Sequence, residues 1–179
     1  MSPSTDTNLA YQDLQPHDIL DSLEGLGYRC DGRLLALNSY ENRVYRVGIE
    51  DAPPVVAKFY RPGRWSDDAI LEEHDFSLEL AEADIPVVPP NIDHDETLHH
   101  AGEFRFAVFP CHGGHSPELD DLRLLRQIGR LIARIHLCGE QAQFEDRPAI
   151  DLDAYGRHSM QFLVERQFIP ENLLPAYTG

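Results

Sequence analysis

The chain has 179 residues, 42% of them hydrophobic and 26% charged, enough for one good core or two small lobes of a globular protein. Its net charge of −16 repels phosphate backbones and argues against a nucleic-acid surface, so a phosphate ligand would need a local pocket of positive charge or N–H groups. No apolar run approaches the roughly 18 residues that a membrane span requires.

The first residues, MSPSTDTNLAYQD, are polar, without a basic start or an apolar stretch. They predict a loose tail over 1–14 rather than a signal peptide, and with it a cytoplasmic location. Pro16 to Gly25 predicts a short helix with Ile19, Leu20 and Leu23 as its apolar stripe. Gly27 to Asn38 reads as a turn and a strand, Ser39 to Asn42 as a polar turn, and Arg43 to Val47 as a half-buried strand. Together they make a hairpin. Asp51 to Pro54 reads as a second turn. The β-prone run Val55 to Tyr60 follows it and ends at Arg61-Pro62-Gly63.

Ser66 is a good N-cap, and Asp67 and Asp68 suit a first helical turn. A helix is predicted from Asp67 to Ala83, with Ile70, Leu71, Phe76, Leu78 and Leu80 apolar. Ile85 to Pro90 is a proline-rich connector, and Asp93 to Gly102 a polar turn. Glu103 to Phe109 alternates, with Phe104, Phe106 and Val108 on one face. Pro110 to Gly114 breaks that strand. A helix from Glu118 to Leu137 carries Leu122, Leu125, Ile128, Ile132 and Ile135 on one face. Arg123, Arg126, Arg130 and Arg134 line another, as a solvated or ion-paired face. A further helix spans Ala154 to Gln167. The order is helix, three strands, helix, two strands, hinge and helices, an α+β arrangement: an antiparallel sheet with one helix on it, then a helical part.

Of the 15 basic residues, 14 are arginine and one is lysine, Lys58, inside an apolar strand. An ammonium there is either an edge-strand side chain reaching for water or a point charge awaiting a phosphate and a carboxylate. Cys30, Cys111 and Cys138 cannot all pair and form no CxxC, which suits a reducing compartment. Asp93, His94, Asp95, His99 and His100 cluster in sequence, and His112 and His115 flank the strand break. Their spacing fits a surface turn better than a metal site.

A kinase small lobe needs, in order, a hairpin turn over the phosphates, a strand lysine, a helix glutamate and a strand end leading to a hinge. Ser39 to Asn42, Lys58, Glu72 or Glu73, and Val108 to Gly114 fill those places. The runs Leu37 to Tyr45, Lys58-Phe59-Tyr60-Arg61-Pro62 with Arg64-Trp65, Ile70-Leu71-Glu72-Glu73-His74, and Phe106 to Pro110 with Gly113-Gly114 resemble the stress response kinase A family. These are bacterial serine/threonine protein kinases related to aminoglycoside phosphotransferases and choline kinases.

The resemblance implies a kinase-like small lobe over 15–110, a hinge over 111–116 and the first helices of an incomplete large lobe over 117–179. It implies ATP and Mg2+ as cofactors, a protein serine or threonine as acceptor, and a monomeric full-length form. Ser39, Tyr40 and Asn42 would lie in the phosphate loop. Lys58 would bind phosphate with Glu73 as its partner, or Glu72 in its place. The Phe109 carbonyl and the Cys111 N–H would meet adenine. No catalytic residue is assigned, because no HxDxxxxN-like run occurs before Gly179 and His136-Leu137-Cys138-Gly139 is not one. The family is about twice this length, so a fragment or truncated product is expected, inactive by itself and prone to self-association. A small-molecule phosphotransferase and a non-catalytic nucleotide-binding remnant are the alternatives.

Overall fold

The structure, a computed structural model, describes residues 11, 13–114, 116–118 and 120–178. The chain divides into two compact units, Met1–Gln143 and Phe144–Gly179.

In the first unit, helix α1 (Pro16–Gly25) opens with proline at its first turn, and the Asp18 carboxylate accepts from the Gln15 N–H at 2.8 Å. The apolar spacing turns Ile19 and Leu23 inward, where both are buried. Five strands follow: β1 (Cys30–Leu37), β2 (Arg43–Ile49), β3 (Ala52–Tyr60), β4 (His99–Ala101) and β5 (Phe104–Pro110). They form one antiparallel sheet in the order β1-β2-β3-β5-β4.

Directly paired residues share a face. Val47 pairs with Val55, Ala57 with Val108 and Phe59 with Phe106. That face is the main core, packed under Ile19, Leu23, Tyr11 and Leu14. Phe59 and Phe106 stack at 5.2 Å between ring centres. The opposite face carries Lys58, Tyr60, Ala107 and Phe109. Helix α2 (Asp67–Glu82) covers part of it through Ile70, with Leu98 beside them. Tyr28 donates to Asp93 at 2.8 Å and accepts from the Asn91 amide at 2.9 Å, which ties the connector before β4 to the start of β1.

Several boundaries differ from the sequence expectation. Tyr11 and Leu14 are core residues rather than tail. Most of the expected tail, 1–10 and 12, lies outside the described residues, as does His115. The turn expected over Asp51–Pro54 is shorter. Asp51 takes φ 55°, and Ala52 already pairs with Ile49. Pro53 and Pro54 fit in β3 because neither falls in a ladder pair: β5 pairs only from Val55 onward, and the pairing with β2 shifts register opposite them, between Val47 and Ile49. The polar segment 93–102, expected to hold a turn, also contains β4, the first of the two strands expected after α2. In α2, Leu71 is exposed and His74 takes the buried position.

Helix α3 (Leu122–Gly139) starts later than expected because Asp121 caps it, its side chain accepting from the Arg123 N–H at 2.8 Å. Arg134 donates to the carbonyls of Ala83 and Asp84 at 2.7 and 3.1 Å, satisfying groups at the C-terminal end of α2. The first compact unit extends to Gln143.

In the second unit a π-helical turn (Asp153–Arg157) leads into α4 (His158–Glu165), and α5 (Leu174–Thr178) follows. The helix expected to reach Gln167 stops earlier. Gln167 adopts φ 55°, and the Phe168 N–H folds back to the Leu163 carbonyl at 3.0 Å. No helix of the described residues is long and apolar enough to cross a membrane.

Candidate functional site

Strand alternation decides where Lys58 points. Val55, Ala57 and Phe59 enter the main core, so Val56, Lys58 and Tyr60 face the other way, toward α2. Ser66 starts α2 by accepting from the Ala69 N–H at 3.1 Å. Between one and two turns later, Glu73 meets Lys58, with Nζ to Oε1 at 2.9 Å. Glu73 makes this contact rather than Glu72. The two side chains are 22% and 36% exposed, so the pair is partly desolvated yet open to a ligand. The ammonium also lies 4.5 Å from the Tyr60 ring centre and 5.9 Å from that of Phe109.

Beneath this pair is a buried polar chain that sequence reasoning missed. Tyr60 Oη and His74 Nε2 are 2.6 Å apart, and His74 Nδ1 and Thr97 Oγ1 are 2.9 Å apart. The His74 ring meets Phe109 edge-on. Glu73 and His74 are neighbours on a helix and so diverge by about 100°. Anchoring His74 in the packing therefore sets the roll of α2 that presents Glu73 to Lys58. The spacing of His74 four residues after buried Ile70 was the available signal.

The Ser39–Asn42 turn joins β1 to β2, and Leu37 pairs with Val44, which pairs with Lys58. The turn therefore rises from the strands beside the ammonium. Tyr40 is exposed. Asn42 Oδ1 accepts from the Arg61 N–H at 3.2 Å, so its side chain braces the turn against the end of β3. Leu35 and Leu37 are exposed on the Lys58 face, in register with Arg46 and Val44. With Val56, paired to Arg46, they form an apolar shelf next to a cation, another feature not read from sequence.

At the far end of the sheet, Val56 pairs with Phe109 and Val55 with Pro110. The Asn91 N–H donates to the Val108 carbonyl at 2.7 Å and holds the outer edge of β5. Cys111, half-buried, is the first residue past the strand. Ser39, Lys58, Glu73 and Phe109 thus belong to one region of the sheet and its covering helix.

His94, His99 and His100 stay close together and line one depression, but the cluster's side chains engage different partners. Asp93 accepts from Tyr28, His100 pairs with Asp67 at 3.1 Å, and His99 packs on Phe106. Among the described residues, no group of three or more His, Cys, Asp or Glu could hold a metal ion. An open, acid-lined depression of about 790 Å³ lies between α1 and the β4–β5 hairpin, lined by the main-core side of the sheet and not by Lys58.

Residues 33–170 match the model of the phosphotransferase enzyme family. The chain is 41% identical to stress response kinase A of Escherichia coli (strain K12) over 167 residues, which is 93% of this chain and 51% of that protein. It is 38% identical to serine/threonine protein kinase RdoA of Salmonella typhimurium over 172 residues, 96% of this chain and 52% of that one. The chain thus spans about half the length of the curated relatives it matches. Its fold resembles amicoumacin kinase hAmiN, solved in complex with AMP-PNP, Ca2+ and Ami, with a TM-score of 0.62 at 22% identity over 83% of this chain and 50% of that one. It also resembles a microcompartment-associated aminopropanol kinase, with a TM-score of 0.60 at 20% identity over 83% and 54% of the two chains. The chain has the kinase-like small-lobe fold and belongs to the phosphotransferase enzyme family, beside its stress response kinases.

Proposed function

We propose that the protein carrying this chain transfers the γ-phosphoryl of Mg-ATP to a serine or threonine hydroxyl of a protein. We place it in a cytoplasmic stress response and read its full-length form as a monomer. The observation that carries the reading is the Lys58–Glu73 pair at 2.9 Å, beside a hairpin turn and a strand end. The names of the 38–41% identical relatives support a protein acceptor.

Lys58 binds phosphate oxygens, and Glu73 holds the ammonium in place for them. Ser39 and Tyr40 lie in the turn over the phosphates. Leu35, Leu37, Val44 and Val56 offer an apolar surface to the base, and the Phe109 carbonyl and Cys111 N–H its polar contacts. Positioning and charge stabilisation are the whole contribution of these residues. ATP supplies the phosphoryl group. No described residue is assigned to Mg2+.

Calorimetric titration of this chain with Mg-ATP tests the nucleotide half of the reading. Binding that Lys58→Met abolishes is expected, and equal binding by both proteins removes Lys58 from the site. Radiolabel transfer by the complete protein tests the acceptor. Label on protein serine or threonine is expected. Label only on aminoglycosides or amino alcohols makes it a small-molecule phosphotransferase.

A further inference from the structure

Two sequence runs set apart above, Ser39-Tyr40-Glu41-Asn42 and Arg61-Pro62-Gly63-Arg64-Trp65, meet in space. The Glu41 carboxylate accepts from the Trp65 indole N–H at 3.1 Å and from Arg64 Nε at 3.4 Å. The Arg64 guanidinium lies 4.5 Å from the Trp65 ring centre. Asn42 accepts from the Arg61 N–H at 3.2 Å. On its other side the turn is held by Tyr11, whose hydroxyl lies 3.1 Å from the Phe59 carbonyl and 3.4 Å from that of Glu41.

A turn that wraps phosphates usually does so with glycines, because close approach of backbone N–H groups needs their freedom. Leu37 to Arg43 contains none. Such a turn must be shaped by what its side chains grip. We propose that Glu41 and Trp65 form a latch that holds the Ser39–Asn42 turn closed over the nucleotide phosphates, with Arg64 neutralising the carboxylate so that it does not repel them. This rests on the nucleotide-binding reading above.

The latch also reaches the lysine's partner. Arg105 Nη1 donates to the Trp65 carbonyl and to Asp67 Oδ1, both at 2.7 Å, and Asp67 is the first residue of the helix bearing Glu73. The turn, the end of β3, β5 and α2 are thus joined by one run of hydrogen bonds. Glu41 and Trp65 are positioning residues. They act on phosphate affinity through the turn and leave the base site alone.

Trp65 is the only tryptophan in the chain, so its fluorescence reports on the latch directly. The test titrates this chain with Mg-ATP and, separately, with adenosine, following both heat and Trp65 emission. Glu41→Ala is expected to weaken ATP about tenfold or more, with adenosine changed less than about twofold. Glu41→Gln keeps an acceptor for the indole and should recover most of the affinity. Trp65→Phe should match Glu41→Ala in the calorimetric arm, and the double variant should be no worse than either, as expected of one shared contact.

The latch is overturned if both single variants bind ATP like the parent, if their losses add independently, or if ATP and adenosine weaken equally. Those results leave the nucleotide-binding reading standing, provided Lys58→Met still loses ATP. A parent chain that binds neither ligand overturns both.

Discussion

Lys58 and Glu73, 15 residues apart on a strand and a helix, meet at 2.9 Å on the side of the sheet away from the main core. The strand fixes the lysine's direction. The helix reaches it only because Ser66 starts α2 at the right residue and the buried His74 sets its roll.

Glu73→Gln should therefore cost far more than Glu72→Gln. Exchanging the charged acceptor for a neutral one at a partly desolvated lysine removes about 1.5–3 kcal/mol, or roughly 10- to 100-fold in ATP turnover by the complete protein. Glu72→Gln should stay within about twofold. Steady-state phosphoryl-transfer assays on the pair decide it, and a larger effect at Glu72 reverses the assignment.

Tyr60→Phe keeps the ring under the Lys58 ammonium and deletes the hydroxyl that meets His74 at 2.6 Å. A buried ring nitrogen then loses its partner, at a cost of about 1–3 kcal/mol. Urea denaturation should show a lower midpoint with an unchanged slope. An unchanged midpoint means the hydroxyl contributes nothing net.

Acid should weaken the small lobe in two windows. Burial holds His99 below its ordinary pKa of 6.5. In that range the unfolded chain binds more protons than the folded one. The stability linked to His99 is complete above pH 6.5 and is lost as pH falls through its depressed folded value. Asp67 is held below its ordinary 3.8, chiefly by its hydrogen bond from Arg105. Its contribution is present above that value and disappears as pH falls further. Denaturation midpoints compared at about pH 7.5 and 5.5 should drop less in His99→Leu than in the parent. Equal drops would place the sensitivity elsewhere.

Ser66→Ala removes the α2 cap and should cost about 1 kcal/mol, while Ser66→Asp should retain most of it. Thermal melts of the two variants provide the comparison. The loss belongs to the helix that positions Glu73, so the Ala variant should also bind ATP more weakly.

Helix α3 has no buried residue, and Leu122, Ile132 and Leu137 are 66%, 47% and 61% exposed. This chain should associate as its concentration rises, and Leu125→Glu with Ile132→Glu should reduce that association. Sedimentation equilibrium over a tenfold concentration range reads it. A monomer throughout would show that these apolar groups drive nothing.

Local chemistry was legible in the linear chain. Proline and glycine bound α1, Ser66 with two aspartates opened α2, alternation located β2 and β5, and an apolar β-prone run marked β3. A solitary lysine in an apolar strand drew attention to Lys58, but strand context alone left it open between a side chain reaching for water and a charge awaiting a phosphate and a carboxylate. These features depend on neighbours within a few residues, where propensity, capping and periodicity act. The start of α3 was misread because Asp121 supplied a later cap than the apolar pattern suggested. The entry to β3 was misread because Pro53 and Pro54 look like a turn unless one knows that no β5 residue lies beside them.

The sequence by itself determined the order of the main elements and placed a lone lysine, Lys58, inside an apolar strand. Only the tertiary structure decided which glutamate answers Lys58, that His74 is buried, and that Glu41 grips Trp65. Adjacent helix positions point about 100° apart, so the choice between Glu72 and Glu73 depends on how α2 rolls against the sheet. Contacts between residues 15 to 24 apart, such as Lys58–Glu73 and Glu41–Trp65, exist only once strand register and helix docking bring them within hydrogen-bond reach.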